Sequence, residues 1–346
     1  MLMPNEIVTR PHYMLPAYLD KAIFCEHKGL YNIRPTKVER NLFNSPEDNR
    51  YYLGTYFPRS FAECAVLTSD LLRHRRINSA LLKKRELRIL DLGSGTGGNL
   101  LGLLHVLHEA GYPKNPIRIV SKDGNADALS HQLALVRKFE EYSGRNIILE
   151  QREETYTSTE SISKSLRELS TDGGFDIIMS FKFVSEFFNT DYREFSDLYH
   201  VIVKECETLL SDTGILMLVD VTCRDSCQSR PFTPEIMSTS LGAYLRDLSA
   251  ELQTVVPVAC GFWSSHCHTS PCYTERILTV QHSNAKADMS KFCYRVMAKR
   301  PFATAILAEL NHQEQYQISY NRWHPRYCKH GNLCNGYIND SGFTLI

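Results

Sequence analysis

Arg88-Ile89-Leu90-Asp91-Leu92-Gly93-Ser94-Gly95-Thr96-Gly97-Gly98-Asn99-Leu100 decides how the chain folds. A short apolar run, Ile89 to Leu92, ends in a glycine-rich turn. An apolar, helix-periodic segment, Leu100 to Ala110, follows at once. The pattern predicts a strand, a tight loop and a helix N-terminus. Glycine tolerates positive φ and lets a ligand approach the backbone. The first amides of a helix have no internal partner and face whatever binds there.

Two spacings fit this loop. Gly93, Gly95 and Gly98 satisfy the G-x-G-x-x-G of dinucleotide sites. Gly93, Gly95 and Gly97, with Asp91 two residues upstream, satisfy the pattern of class I S-adenosylmethionine (SAM) methyltransferases. The second fits better. A carboxylate on the same strand repels a pyrophosphate but favours the ammonium and sulfonium of SAM. From about Glu86 to Arg300 the chain resembles class I SAM-dependent methyltransferases.

The chain has 346 residues, room for one large domain with appendages or for two domains. Apolar residues make up 43%, which supports a sizeable core. Lys+Arg and Asp+Glu both number 39, so the net charge is zero, against a surface built wholly for nucleic acid. Met1 to Arg10 lacks the apolar core of a signal peptide and the arginines of a transit peptide. No run approaches the ~18 apolar residues of a membrane span. A soluble, cytoplasmic protein without membrane contact is expected. Its eleven cysteines then read as thiols or metal ligands rather than disulfides.

The expected fold is α/β: a doubly wound, seven-stranded, Rossmann-like methyltransferase sheet with an antiparallel last strand. Residues 1–86 form an aromatic, proline-broken cap of short helices and loops. Residues 87–301 form the SAM-binding domain, and 302–346 a C-terminal extension. Strands are expected at Leu87–Leu92, Ile117–Ser121, Asn146–Gln151, Phe175–Phe181, Ile215–Val221, Arg276–His282 and Phe292–Lys299. The helices between them are Gly98–Ala110, Ala126–Tyr142, Ile162–Leu169, Phe195–Leu210 and Pro234–Leu252. Ser283–Ser290 is expected as a polar turn, making the last two strands a hairpin. Such a hairpin is a feature of this methyltransferase fold and not of dinucleotide dehydrogenases. The tail begins with an apolar helix, Ala303–Leu310.

The resemblance implies a cofactor set: Asp91 toward the ammonium, Gly93, Gly95, Thr96 and Gly97 under the methionine moiety, and Asp123 with Gly124 at the ribose. Asp123 also reads as a helix N-cap or turn residue. Arg152, Glu153 and Glu154 are the candidates for the adenine amine, with Glu153 counted in the set. Phe181 stacks near adenine or belongs to the core. Lys182 and Glu186, at the exit of the fourth strand, serve the acceptor or form an i, i+4 ion pair. Tyr51–Glu63 is the candidate lid, or simply packs on the main domain.

Cys260, Cys267, Cys272 and Cys293 are candidate ligands for zinc or an iron–sulfur cluster, although the chain has no C-x-x-C. Buried free thiols are the alternative. Cys328 and Cys334 with His324 and His330 are a rival set. A weaker resemblance, to methyltransferase-like assembly factors of the small ribosomal subunit, implies an iron–sulfur cluster on the first set. Leu71–Arg88 is basic and offers contact with RNA, or merely a solvated helix face. The expected function is methyl transfer from SAM to an unidentified acceptor: small molecule, peptide or RNA. The alternative is a SAM-binding, ribosome-assembly or RNA-associated factor that binds with little turnover.

Overall fold

The computed structural model describes residues 12–32, 42, 44–169, 173–222, 233–257, 260–261, 275–311, 318–320 and 336–338. The chain opens with β1 (His12–Met14), α1 (Ala17–Lys21) and a π-helical turn, Ala22–Glu26. Two helices follow, α2 (Pro46–Arg73) and α3 (Arg75–Leu82). The alternating part then runs β2 (Leu87–Leu92), α4 (Gly98–Glu109), β3 (Ile117–Asp123), α5 (Ala126–Ser143), β4 (Ile147–Glu153) and α6 (Thr159–Arg167). It continues through β5 (Phe175–Phe181), α7 (Val184–Phe195), α8 (Leu198–Leu209), β6 (Leu210–Val221) and α9 (Thr233–Arg246). After these come β7 (Leu252–Val256), β8 (Glu275–His282), β9 (Ala285–Lys299) and α10 (Arg300–Asn311). A two-stranded ribbon, β10 (Ile318–Tyr320) with β11 (Gly336–Ile338), is separate from the main sheet.

The main sheet has the order β1-β8-β9-β6-β5-β2-β3-β4, with β7 also paired to β9. Strands β4, β3, β2, β5 and β6 are mutually parallel, and β9 runs antiparallel to β6. This is the expected doubly wound methyltransferase sheet with its antiparallel strand. It has nine strands rather than seven. One addition is β1, a three-residue parallel edge on β8. The other is β7, which pairs with the last residues of β9 while β8 pairs with the earlier ones. The expected helix Pro234–Leu252 therefore stops at Arg246 and gives way to a strand.

Both faces of the sheet are covered, which is why β5 is buried at all seven positions. One face packs under α2, α4 and α5 through residues such as Phe57, Phe61, Leu101, Leu104 and Phe139. The other packs under α6, α8 and α9 through Ile162, Leu166, Ile202, Val203 and Tyr244.

The N-terminal part departs most from expectation. In place of short, proline-broken pieces stands α2, a helix of 28 residues. Its start is well specified. Ser45 and Asp48 form a reciprocal capping box, and Pro46 occupies the first turn, where its missing N–H costs nothing. Pro58 lies inside the helix and is buried with the core stripe Leu53, Phe57, Phe61 and Ala65. α2 lies close against α4 because Gly102 has no side chain: a Cβ there would fall 2.4 Å from the Phe61 carbonyl oxygen.

The exit of β5 also differs from expectation. The helix expected over Phe195–Leu210 is present as α8, Leu198–Leu209, and an unexpected helix, α7, precedes it from Val184. β6 begins at Leu210, five residues before the expected Ile215, and takes in Asp212-Thr213-Gly214. The last hairpin turns on Ser283 and Asn284 alone, so most of the expected polar turn is strand.

Candidate active site

In an open parallel sheet, ligands sit at the carboxyl ends of the strands where the order reverses. Here the reversal falls between β2 and β5. The glycine loop leaves β2 at that point, and Phe181 and Lys182 leave β5 beside it.

The loop conformation needs its glycines. Gly93, Gly95 and Gly97 have φ of 65°, 51° and 83°, left-handed values that side chains avoid. The N–H groups of Gly93 and Ser94 both donate to the Lys122 carbonyl, at 2.9 and 3.1 Å, fixing the loop to β3. Gly97 caps α4, whose first amides open on the same crevice.

Asp91 is fully buried, one residue before the carboxyl end of β2. Asn99 Nδ2 donates to its Oδ1 at 2.6 Å, and its Oδ2 has no hydrogen-bond partner among the described residues. Burial, with the nearby Asp123 charge adding to it, pushes the Asp91 carboxyl up to about 7. Asp123 ends β3. The Gly95 N–H donates to its Oδ2 at 2.7 Å and the Asn125 N–H to its Oδ1 at 2.9 Å. Burial raises it to about 6, against backbone bonds from Asn125, Gly95 and Gly124. The helix N-cap after β3 is Asn125, whose side chain accepts from the Ala128 N–H at 3.0 Å. Asp123 is thereby relieved of the capping role and faces the loop instead. A carboxylate has about four acceptor positions, so these backbone bonds leave acceptor capacity for a ligand hydroxyl.

Two cavities flank the loop. The larger, roughly 190 Å³, has Gly93, Ser94, Thr96 and Asn99 on its floor, Phe181, Lys182 and Glu186 on one wall, and Tyr52, Tyr56 and Ser60 of α2 as its roof. The smaller is lined by Asp123, Gly124, Glu154, Thr155, Tyr156 and Phe187. Glu186 borders both. The Tyr52 hydroxyl lies so close to the loop that a Cβ on Gly95 would meet it at 2.8 Å. The candidate lid Tyr51–Glu63 is thus part of the roof as one continuous helix face.

Gly93, Thr96 and Phe181 line the larger cavity, and Asp123 and Gly124 the smaller; Asp91 is buried against Asn99, Gly95 bonds to Asp123 and Gly97 caps α4, and these three line neither cavity. Glu153 is exposed at the end of β4, and its neighbour Glu154 lines the smaller cavity. Glu154 is held below the usual carboxylate range: burial opposes this, but the Ser165 hydroxyl and Lys122 ammonium outweigh it. Lys122, a buried lysine of β3, lies 3.1 Å from Glu154, a pairing the sequence does not reveal. Lys182 reaches α2, 2.8 Å from Glu63 Oε1, a partner that sequence spacing does not reveal.

Cys260 and Cys293 are buried, and the Cys293 thiol lies 3.7 Å from the Val221 carbonyl oxygen. Cys267, Cys272 and the rival set Cys328, Cys334, His324 and His330 lie outside the described residues. Among the described residues no group of three His, Cys, Asp or Glu side chains is placed to hold a metal.

The basic stretch Leu71–Arg88 is at the opposite end of the sheet, where β2 begins. Three of its cations have acidic partners from distant elements. Arg75 and Arg76 lie 3.3 and 2.8 Å from Glu309 of α10, and Lys84 lies 2.6 Å from Asp176. Among the described residues no helix is long and apolar enough to cross a membrane.

No protein-family model matches the chain, and no curated protein matches it. Solved structures with similar architecture include a Listeria monocytogenes protein assigned to the class I SAM-dependent methyltransferases, at 11% identity and a TM-score of 0.37. That match covers 69% of this chain, which spans 59% of the Listeria protein. The plantazolicin methyltransferase BpumL, solved in complex with SAH, matches at 15% identity and a TM-score of 0.37, over 82% of this chain and 95% of its own. TrmN from Thermus thermophilus matches at 15% identity and 0.35, over 71% and 53%. The likeness to these solved structures is one of fold.

Proposed function

We propose that the protein binds SAM in the crevice between β2 and β5 and transfers its methyl group to an acceptor admitted beneath α2. One observation carries this reading: a buried Asp91 oxygen without a partner and a backbone-held Asp123 stand on either side of a loop bent for close approach. An unpaired buried carboxylate oxygen is costly unless a donor arrives. A ligand ammonium supplies that donor. Asp123 supplies acceptor capacity for a ribose hydroxyl, and Glu154 and Tyr156 border the space for a base.

When bound, SAM contributes an already activated methyl group. The chain's own residues hold the donor in line and keep water out, which is most of what such a transfer requires. The cofactor unit is taken as residues 87–301, with 1–86 as the cap and 302–346 as an extension, in a cytoplasmic protein. The basic Leu71–Arg88 stretch does not reach this crevice. A six-residue strand of about 3.3 Å per residue separates them by about 20 Å. Its pairing with Glu309 and Asp176 further favours a small or peptide-like acceptor over RNA.

Calorimetric titration with SAM and with its demethylated product tests the reading. Binding of both, weakened at least tenfold by Asp123→Ala, is expected. A wild-type protein that binds neither overturns it.

A further inference from the structure

Lys182 closes β5 in a conformation that L-residues rarely hold. Its φ is 59°, left-handed, and it is one of two non-glycine residues with positive φ among those described. Strain of this kind persists where the surroundings fix it, and it concentrates at functional sites. Here three contacts fix it. The Lys182 N–H donates to the Val219 carbonyl on β6 at 2.8 Å. The ammonium lies 2.8 Å from Glu63 Oε1 and 3.2 Å from Ser60 Oγ, both on α2.

Glu63 is itself fully buried and is also bonded by the Ser290 hydroxyl of β9. The ion pair therefore ties β5, α2 and β9 together and holds the lysine tip in place. An ammonium has three N–H donors. Two are engaged by Glu63 and Ser60, and the third has no partner among the described residues. The side chain retains 14% of its exposure and lines the larger cavity, beside Phe181 and opposite the glycine loop. A lysine serving only to neutralise Glu63 does not require a strained backbone at the mouth of a cavity.

The geometry points to Lys182 as the acceptor-binding residue: we propose that its remaining N–H receives an ionised oxygen, carboxylate or phenolate, of the acceptor. A charge-assisted bond to a fixed donor orients such a group more firmly than a neutral one does. The flanking faces of Tyr52, Tyr56 and Phe57 suit an acceptor with an apolar or aromatic body. This proposal rests on the cofactor reading above.

The test uses the full chain saturated with the demethylated cofactor, titrated with benzoate, 4-nitrophenolate at pH 8 and benzylamine. Benzoate or 4-nitrophenolate is expected to bind, with benzylamine at least tenfold weaker. The arm that binds distinguishes the two oxygen types. Lys182→Gln is expected to abolish the preference for the anion, and Lys182→Arg to restore part of it. Affinity for the demethylated cofactor itself should change less than threefold in both variants.

Three outcomes overturn the proposal: benzylamine binding as well as the anions, an anion preference that survives Lys182→Gln, or a tenfold loss of cofactor affinity in that variant. The last assigns Lys182 to the cofactor's own carboxylate. Failure of the demethylated cofactor to bind the wild-type protein is read in the first titration. It removes the cofactor reading and this one together, whereas the other outcomes leave the cofactor reading standing.

Discussion

Asp91 and Asp123 are both raised by burial, to about 7 and about 6, from an unfolded value of about 3.9. Between those values the folded chain holds protons that the unfolded chain has released. Stability then falls as pH rises through this window, and the cost is complete above about pH 7. Asp91→Asn should therefore raise the melting temperature of the unliganded protein at pH 8 and change it little at pH 4. Calorimetric scans at the two values check this. The same ionisation provides the charge an ammonium ligand needs. SAM affinity should accordingly rise between pH 6 and pH 8, by at most about tenfold per pH unit for one proton, and Asp91→Asn should flatten that rise. Sequence alone placed both carboxylates, because a strand–loop–strand pattern fixes where they fall. Glu154 and the Lys182–Glu63 pair were not legible. The first depends on which of two adjacent glutamates turns inward, and the second on a helix 119 positions upstream of Lys182.

Among the elements, α2 and α4 make the closest approach that depends on a missing side chain. Gly102→Val should force them apart and cost about 1–3 kcal/mol, the range for overpacking, read as a lower midpoint in urea. Phe57 and Phe61, at 1% and 0% exposure, should each cost about 3–5 kcal/mol when cut to alanine. The parallel strands were the most readable elements: β2 and β5 have the expected bounds because each carries a short apolar stretch, Ile89-Leu90 and Ile177-Ile178-Met179, next to turn residues. The failures have local causes. Proline at 46 and 58 reads as a breaker, yet one starts α2 and the other is carried within it. β7 was missed: only its first residue, Leu252, lies in the expected helix, and five residues that include Gln253 and Thr254 show no clear period. The first half of β9 reads as a turn since its inward residues are polar. Asp288 and Ser290 are buried there because Arg59 and Glu63 of α2 meet them. A pattern whose inner face is satisfied by another element does not look like a strand.

At the scale of the whole molecule, two ion pairs fasten the antiparallel strands to α2. Arg59 grips Asp288 of β9 through two bonds of 2.7 and 2.8 Å, with Tyr31 adding a third at 3.1 Å. Asp70 meets Arg276 of β8 in a pair that is nearly fully buried. Breaking one partner of such a pair strands a charge and typically costs about 3–5 kcal/mol. Arg276→Met should reach that range in denaturant unfolding, and hydrogen exchange should show β8 and β9 losing protection ahead of β2–β5. Arg59→Met, at 12% exposure, should cost less.

α2 is about 40 Å long at 1.5 Å per residue, and about 27 Å of it separates Tyr52 beside the loop from Asp70 at the hairpin. Chemistry at its near end and fastening at its far end are thus mounted on one rod. Any guest that presses Tyr52 aside must tilt, bend or slide that rod, and the hairpin will register the displacement. By reciprocity, loosening the hairpin alters how readily the guest is admitted.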